Sequence, residues 1–380
     1  MRVNPALDQV GSHPIPAIQQ RVRDLREGGR RVIDFSIGDP VEATWEAIPR
    51  TAASGVPEVS QYPTTRGLPE LRTAIAGYVF RRFSVEVDPD TQVIPTSGSK
   101  EAIFSSALAF VDRRRGDAIG FPDPGYPVYE RGAVLAGAEA LPVAADASFL
   151  MSADSVPEET WPRLAMLWIC TPSNPTGAVI PADELGRIVE ACRHHQVLVC
   201  SDECYVDLYD EGAEPPTSVL QLSGGDTTGV LSFLSLSKRS GMTGYRSGAI
   251  VGDPAAIERI YRLRTSTGTA SPEFVQLAAI TAWNDDDHVI ARRQVFGAKR
   301  ALLRAGLESM GVKVSASEAG LYLWAQVGDD LAVSEALAEV GVIVAPGRIF
   351  GSRGEGFLRL ALVPDLETCR QALELMRRVL

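Results

Sequence analysis

A short polar segment, Ser235-Leu236-Ser237-Lys238, directly follows the apolar run Val230–Leu234. A continuous apolar run of this length predicts a buried strand, with Lys238 just beyond its carboxyl end. Open α/β sheets bind their ligands at that edge. A lysine held there can form a Schiff base with a carbonyl if its surroundings keep the amine from being permanently protonated. Taken alone, the segment is also typical of a polar surface turn.

Groups suited to an anion lie close to this lysine and after an earlier strand. The hydroxyls of Ser235 and Ser237 can donate to a phosphate, and Arg246 offers a fixed fork of donors. The loop Thr96-Ser97-Gly98-Ser99-Lys100 opens a predicted helix, and such a start presents unpaired backbone N–H groups to an anion. The loop is neither a Gly-x-Gly-x-x-Gly fingerprint nor a P-loop, so it gives no specific support to nucleotide binding. By itself it could be a simple serine cap.

Two more strand ends carry polar side chains. Asp202 follows the apolar run Val197–Cys200, and a carboxylate buried there could keep a pyridinium nitrogen protonated. Tyr205 can return to the same pocket three residues later. Asn174 lies between two prolines after another apolar run, and such a turn gives its amide a fixed direction. The alternatives are an acidic helix start and an ordinary proline turn.

The elements that must position these groups follow a βαβα rhythm. Short apolar runs alternate with amphipathic segments, which predicts a buried, mostly parallel sheet with helices on both faces. Strands are predicted at Val93–Thr96, Ala118–Phe121, Ala165–Cys170, Val197–Ser201, Val230–Leu234 and Gly248–Val251. Their carboxyl ends should bring together phosphate donors, a pyridinium partner, a hydroxyl pair and an amine. That is the set of groups that pyridoxal 5′-phosphate requires.

The two ends of the chain have a different character. Strands predicted at Val312–Val314, Tyr322–Gln326, Val342–Ala345 and Leu358–Leu362, with helices among them, indicate a smaller α+β lobe. We therefore predict a large α/β domain over residues 44–282. The small α+β domain is predicted from both chain ends, residues 1–43 and 283–380.

The composition excludes several classes of protein. The 380 residues include 37 Lys and Arg against 48 Asp and Glu, a net charge of −11. This argues against general binding of nucleic acid or of an anionic membrane, because both need a basic face. The five cysteines show no disulfide pattern, so we expect free thiols. Residues 1–20 contain no apolar leader and no apolar run reaches about 18 residues, so we expect a cytoplasmic protein without a membrane span. We expect no metal site, because His194 and His195, which could join Cys200 and Cys204, belong to the preceding helix end.

The chain resembles the class I/II aminotransferases, which are fold-type I pyridoxal phosphate (PLP) enzymes, over essentially its whole length. The resemblance is carried by SQYPTTRGLPELR, SGSKEA, PDPGYPVYE, TPSNPTG, SDECY, SLSKRSGMTGYRSG and FLRLAL, and the last four in that order are highly specific. It implies a large domain built on a mostly parallel sheet of the seven-stranded type between helices. It also implies a homodimer with shared active sites and small amino and 2-oxo acids as substrates.

The resemblance also implies a role for each candidate residue. Lys238 would carry the cofactor as a Schiff base and move the proton at the substrate Cα, while Asp202 would pair with the ring nitrogen. Asn174 and Tyr205 would hydrogen-bond the ring 3-oxygen, and Tyr126 would stack on the ring. The phosphate would be held by Ser99, Lys100, Ser235, Ser237 and Arg246, with Tyr62 from the neighbouring subunit. The substrate α-carboxylate would be bound by Arg359, the Gly38 backbone and Asn174.

Among these enzymes, the chain is similar to the N-succinyldiaminopimelate aminotransferases of lysine biosynthesis, which use the glutamate/2-oxoglutarate couple. Such substrates carry a second carboxylate, for which Arg66, Arg239, Arg264 and Arg353 are unranked candidates. Related aspartate enzymes place an arginine shortly before the position of Ser271, where this chain has Ser266-Thr267-Gly268-Thr269, and that departure disfavours a strict aspartate enzyme. An aspartate or broad-specificity aminotransferase and a PLP-dependent C–S lyase stay open as alternatives.

Overall fold

A computed structural model describes residues 1–11, 14–222 and 224–380. Within them, seven strands form a central sheet in the order β2-β8-β7-β6-β5-β3-β4, in which β8 runs opposite to the other six strands and is antiparallel to both β2 and β7. These strands are β2 (Val93–Thr96), β3 (Ala118–Asp123), β4 (Glu139–Ala144), β5 (Leu164–Cys170), β6 (Leu198–Asp202), β7 (Val230–Ser235) and β8 (Gly248–Gly252). The predicted α/β fold with a mostly parallel seven-stranded sheet is therefore confirmed.

A second, four-stranded antiparallel sheet has the order β12-β13-β10-β9. Its strands are β9 (Lys313–Ser315), β10 (Tyr322–Gln326), β12 (Ala345–Pro346) and β13 (Phe357–Ala361). Close to it, β1 (Ile33–Asp34) pairs in parallel with β11 (Val342–Ile343), so an early strand joins a late one. The predicted boundaries at residues 43/44 and 282/283 stay a prediction.

Helices cover both faces of the central sheet and flank the smaller one. Their bounds are α1 (Pro5–Gln9), α2 (Pro14–Glu27), α3 (Ala47–Ser54), α4 (Pro69–Phe83), α5 (Ser99–Phe110), α6 (Val128–Ala136), α7 (Ala182–His194), α8 (Val219–Leu222), α9 (Leu236–Arg239), α10 (Pro254–Thr267), α11 (Glu273–Trp283), α12 (Asp287–Ser309), α13 (Asp330–Glu339) and α14 (Leu366–Met376). Among the described residues, no helix is long and apolar enough to cross a membrane.

The apolar runs become strands because both of their faces are covered. All six residues of β7 are buried, as are all but the first of β6, which is the pattern of parallel strands packed between two helix layers. The register aligns Cys170 with Asp202, and Asp202 with Phe233. Strands β5 and β6 therefore end at one level and β7 continues two residues further to Ser235, so the polar residues that end or follow these strands lie at the same edge of the sheet.

Two local features differ from what the apolar pattern predicts. The run Val32–Ile37 (VIDFSI) predicts a short strand, but the strand is confined to Ile33 and Asp34, because the chain turns away at Ser36, whose backbone and hydroxyl both donate to Asp34. Strand β4 was not predicted. It lies at the edge of the sheet and its side chains are mostly exposed or half-buried, so it lacks the apolar pattern on which the other strands were recognised.

Candidate active site

A cavity of about 250 Å³ lies where the carboxyl edge of the seven-stranded sheet meets β13 and the segment around Gly38. It is lined by every site residue expected from the sequence except Tyr62. These residues are Gly38, Ser99, Lys100, Tyr126, Asn174, Asp202, Tyr205, Ser235, Ser237, Lys238, Arg246 and Arg359. Residues that are up to 321 positions apart in the chain therefore share one pocket.

Lys238 lies in α9, the single helical turn that directly follows β7. The Ser235 hydroxyl caps this turn by accepting from the Ser237 backbone, which fixes where the lysine leaves the sheet. The Lys238 ammonium donates to the Gly38 carbonyl. The pKa of Lys238 is lowered to about 8, mainly by burial and also by the cations of Arg246 and Arg359, while Asp39 and Cys204 act in the opposite direction. The neutral, nucleophilic form of the amine is thus more accessible near neutral pH than that of an exposed lysine.

Asp202, the last residue of β6, is buried and held from two sides. Its Oδ2 accepts from the Tyr129 hydroxyl at 2.8 Å and its Oδ1 from the Cys204 backbone at 3.2 Å. Burial raises the pKa of Asp202, whereas these hydrogen bonds favour the carboxylate. Tyr129 in turn stacks on Trp168 at 5.1 Å, and Tyr126 meets Tyr129 edge-on at 5.8 Å. The aspartate is therefore a fixed acceptor that faces the pocket beside an aromatic wall.

Arg359 crosses from β13 into the pocket as a buried cation. Its Nη1 donates to Asn174 Oδ1 at 2.8 Å and its Nη2 donates to the Ser36 carbonyl at 2.5 Å. The guanidinium lies between the rings of Tyr322 and Phe350, at 4.3 and 4.4 Å from their centroids. Within the described residues it has no carboxylate partner, and its Nε has no hydrogen-bond partner. A buried cation of this kind is suited to a carboxylate supplied by a ligand.

The opposite end of the cavity gathers donors for an anion. Helix α5 begins at Ser99, and Gly98 before it has φ +79°. A Cβ at Gly98 would lie only 2.3 Å from Arg246 Nη2, so the guanidinium lies directly against the loop, and the positive φ at this position favours glycine. Arg246 is also held by donating to the Thr243 carbonyl at 2.9 Å. Lys100 lines the same end, where burial and the neighbouring cations Arg246 and Arg131 lower its pKa.

The loop at this end is anchored by an ion pair between the buried Arg264 and the partly buried Glu101. Arg264 contacts both carboxylate oxygens of Glu101, at 2.7 and 2.9 Å, and Glu101 also accepts from the Ser97 backbone at 2.9 Å. The Arg264 guanidinium is therefore already paired within the protein and is not free to bind a substrate. Arg239 is likewise buried and paired, with Asp207 at 2.9 Å and with Asp286 at 2.5 Å. Both arginines are removed from the candidates for a distal substrate carboxylate.

Tyr322 is a site residue that the sequence did not reveal. It lines the cavity, its hydroxyl lies 2.9 Å from the Tyr205 hydroxyl, and a Cβ at Gly38 would lie 2.5 Å from it. In the sequence it is one aromatic residue in an apolar strand, which is typical of core packing. Its neighbours Leu321 and Trp324 are also apolar or aromatic, so the sequence does not distinguish a tyrosine that lines the site from one that packs in the core.

Tyr62 does not belong to this chain's own cavity. Its side chain is fully exposed at 100% and lies on the segment before α4. Its predicted contact with the phosphate of a neighbouring subunit stays a prediction. Among the other distal-carboxylate candidates, Arg66 contacts Glu258 at 3.3 Å and covers the ring of Tyr261, while Arg353 is exposed.

The residues present fit a phosphorylated pyridine aldehyde. The donors at the start of α5 and at Arg246 match a phosphate, and Asp202 matches a protonated ring nitrogen. Lys238 lines the same cavity, and the charges of Arg246 and Arg359 both act on its amine. An amine for the aldehyde, a carboxylate for the ring nitrogen and a cation for a substrate carboxylate are therefore present in one pocket.

Comparison with known proteins agrees with this assignment. The chain belongs to the class I and II aminotransferases, whose family profile matches residues 30–375, and it is a PLP-dependent aminotransferase. It is 36% identical over 375 residues to an LL-diaminopimelate aminotransferase of Dehalococcoides mccartyi, with 96% of both chains covered. It is 37% identical over 334 residues to the 4-dedimethylamino-4-oxo-anhydrotetracycline transaminase OxyQ of Streptomyces rimosus, covering 87% of this chain and 89% of that one. The aspartate aminotransferase of Thermus thermophilus with maleate superposes with a TM-score of 0.92 at 26% identity, with both chains fully covered.

Proposed function

We propose that the enzyme exchanges an amino group between glutamate/2-oxoglutarate and an acidic amino acid by a ping-pong mechanism. The substrate is proposed to be N-succinyl-LL-2,6-diaminopimelate, in the diaminopimelate route to lysine. The observation that carries the transamination is the position of Lys238. A buried amine with a pKa of about 8 shares one cavity with the Asp202 carboxylate and the Arg359 cation.

The cofactor, when bound, stores the amino group and spreads the negative charge that develops at the substrate Cα. Lys238 would hold the cofactor through its amine and, once released from it, would move the proton at the substrate Cα, a task for which an amine with a pKa near the working pH is suited. Asp202 keeps the ring nitrogen protonated. The hydrogen bonds from Tyr129 and the Cys204 backbone favour the ionised form of Asp202 against the burial that raises its pKa.

Arg359 and the groups around it orient the substrate. The guanidinium binds the α-carboxylate through two parallel hydrogen bonds, with Asn174 and the Gly38 backbone beside it. Tyr126 covers one face of the cofactor ring, and Asn174 and Tyr205 donate to the ring oxygen. The phosphate is held by Ser99, Lys100, Ser235, Ser237 and Arg246.

The walls next to Arg359 favour a substrate with an aliphatic middle section. Ile15, Ile37, Ile349 and Phe350 line the cavity, and Phe350 lies against the Arg359 guanidinium. They suit the methylene chain of a diaminopimelate, whose distal polar end would then reach the mouth of the pocket. The relatives named LL-diaminopimelate aminotransferase support the same substrate class. Arg353 and groups of a partner subunit are the proposed contacts of the distal carboxylate.

We further propose a homodimer in which Tyr62 of one subunit completes the phosphate site of the other. Its complete exposure leaves the phenol available to a second copy. Exposed Val41, Val56 and Val59 belong to the same amino-terminal region and would be covered in such a dimer.

A panel of amino donors tests the substrate assignment. The kcat/KM values of the purified enzyme are compared for N-succinyl-LL-diaminopimelate, free LL-diaminopimelate and aspartate, each with 2-oxoglutarate as acceptor. The proposal expects the succinylated donor to give the highest value. A higher value for free LL-diaminopimelate would assign the specificity of the relatives to this chain, and a higher value for aspartate would contradict the pathway. Release of ammonia and pyruvate from a cystine-like substrate would favour the C–S lyase.

A further inference from the structure

Tyr322 contacts two side chains that the proposed function assigns to different ligands. On one side its hydroxyl lies 2.9 Å from that of Tyr205, and the two rings meet at 5.5 Å and 68°. On the other side the Arg359 guanidinium lies 4.3 Å from its ring centroid. Tyr205, Tyr322 and Arg359 are all buried and line the cavity. One phenol thus connects the residue facing the cofactor with the residue facing the substrate carboxylate.

The sheet register explains why Tyr322 reaches Arg359. In the antiparallel pair of β10 and β13, Trp324 faces Arg359 and Tyr322 faces Ala361. Side chains two residues apart on one strand share a face, so Tyr322 and Arg359 are diagonal neighbours on the same side of the sheet. Gly38 completes the arrangement, because any side chain there would collide with the Tyr322 hydroxyl.

The charges around the two phenols indicate which one donates. Burial raises the pKa of Tyr322, but the Arg359 cation lowers it. Burial also raises the pKa of Tyr205, and there the neighbouring Asp202 carboxylate raises it further. Of two hydrogen-bonded phenols the one nearer a cation is the stronger donor, since the positive charge stabilises the electrons left on its oxygen. Tyr322 therefore donates, Tyr205 accepts, and the Tyr205 proton is free to point into the cavity.

We propose that Tyr322 is a positioning residue for transamination, whose hydroxyl donates to Tyr205 and so directs the Tyr205 proton at the ring oxygen of bound PLP. This inference rests on the proposed role of Tyr205. Hydrogen bonds in a chain polarise one another, so the Tyr322 donation also strengthens the one that Tyr205 makes. Tyr322 acts on the cofactor only through Tyr205.

The test is the pH midpoint of the visible absorption of the holoenzyme without substrate. A donor to the ring oxygen withdraws electron density and makes the nitrogen that joins Lys238 to the cofactor less basic. Tyr205→Phe should therefore raise the midpoint. Tyr322→Phe, which keeps the ring beneath Arg359 and removes only the hydroxyl, should raise it in the same direction by a smaller amount. The double variant should match Tyr205→Phe alone.

A matched control is available in α10. Arg66 lies 4.3 Å from the ring centroid of Tyr261, the same distance as between Arg359 and Tyr322, but Tyr261 lies outside the cavity. Tyr261→Phe should leave the midpoint unchanged. An unchanged midpoint in Tyr322→Phe, or a double variant whose shift is the sum of the two single shifts, would overturn the inference about Tyr322. An unchanged midpoint in Tyr205→Phe would instead overturn the proposed role of Tyr205. Cofactor content and melting temperature, measured on every variant, show that the comparison is made between folded holoenzymes.

Discussion

Arg359 donates from Nη1 to Asn174 Oδ1 at 2.8 Å, across 185 positions of the chain. Arg359 comes from the four-stranded sheet, and Asn174 comes from the turn after β5 of the seven-stranded sheet. The hydrogen bond therefore joins the two sheets at the cavity. It also holds the guanidinium of Arg359 in place before a carboxylate arrives, which reduces the entropy lost when the substrate binds.

Replacing Arg359 should lower kcat/KM to a similar degree for every amino-acid substrate. Arg359→Ala removes the charged hydrogen bonds to the α-carboxylate, which should cost roughly 3 kcal/mol or about a hundredfold in kcat/KM. Arg359→Lys keeps the charge but lacks the planar fork of donors. Its kcat/KM should therefore lie between those of Arg359→Ala and the wild type. The measurement is steady-state kinetics with two chemically different donors, together with cofactor content. A loss confined to one donor would show that Arg359 reads the side chain instead of the α-carboxylate.

The buried Lys238 amine predicts an unusual pH dependence in the cofactor-free enzyme. An amine reacts in its neutral form, and burial lowers the pKa of Lys238 to about 8. Acylation of Lys238 by a small anhydride should therefore rise as the pH increases through about 8. Peptide mass spectrometry measures it, with the exposed amine of Lys313 compared in the same digest. Reactivity that keeps rising in parallel with Lys313 at higher pH would show that the Lys238 amine is not desolvated.

The ion pair of Arg264 with Glu101 should support both the stability of the fold and the binding of phosphate. Arg264→Met leaves Glu101 as a partly buried, unpaired carboxylate, which should cost about 3–5 kcal/mol of stability, and it loosens the loop at Ser97. Unfolding by urea and the Kd for PLP should both report the loss. Arg262→Met is the matched control on the same helix, since its pair with Glu258 is exposed and should be worth under about 1 kcal/mol. Equal effects of the two substitutions would contradict the anchoring role of Arg264.

Mixed dimers test the shared active site. The variants Tyr62→Ala and Lys238→Ala should each be impaired when alone, and Lys238→Ala should be inactive. In a mixed dimer one site receives Lys238 from the first chain and Tyr62 from the second, so it is complete. When equal amounts of the two variants are unfolded and refolded together, about half of the dimers should be mixed, and each mixed dimer has one complete site. About one active site in four should therefore regain wild-type activity. If the mixture is no more active than the average of its two components, Tyr62 does not act in trans.

The sequence predicted the strands and the site best where a buried run ends in polar residues. Val230–Leu234 followed by Ser235 and Lys238 is such a case, since burial on both faces leaves a continuous apolar signal. The resemblance assigned Arg359 to the substrate carboxylate, and the residue types point the same way, because an arginine within the apolar run FLRLAL needs a partner. Strand β4, which has exposed side chains and Pro142 at a sheet edge, gives no such signal.

What the sequence could not supply were long-range pairings. Arg239 and Arg264 were as eligible for a substrate carboxylate as any other arginine. Their partners Asp286 and Glu101 lie 47 and 163 positions away, and only the fold brings them together. Tyr322 was missed for the same reason, because its role depends on the register between β10 and β13.

The half-reaction of the holoenzyme with glutamate alone tests the central claim most directly. If Lys238, Asp202 and Arg359 form a transaminase site, glutamate without any acceptor should convert the bound cofactor from its pyridoxal to its pyridoxamine form. One 2-oxoglutarate should be released per site. Added 2-oxoglutarate should restore the original spectrum, and Lys238→Ala should show neither change. Release of ammonia in place of a stored amino group, or a spectrum that 2-oxoglutarate does not restore, would contradict the account.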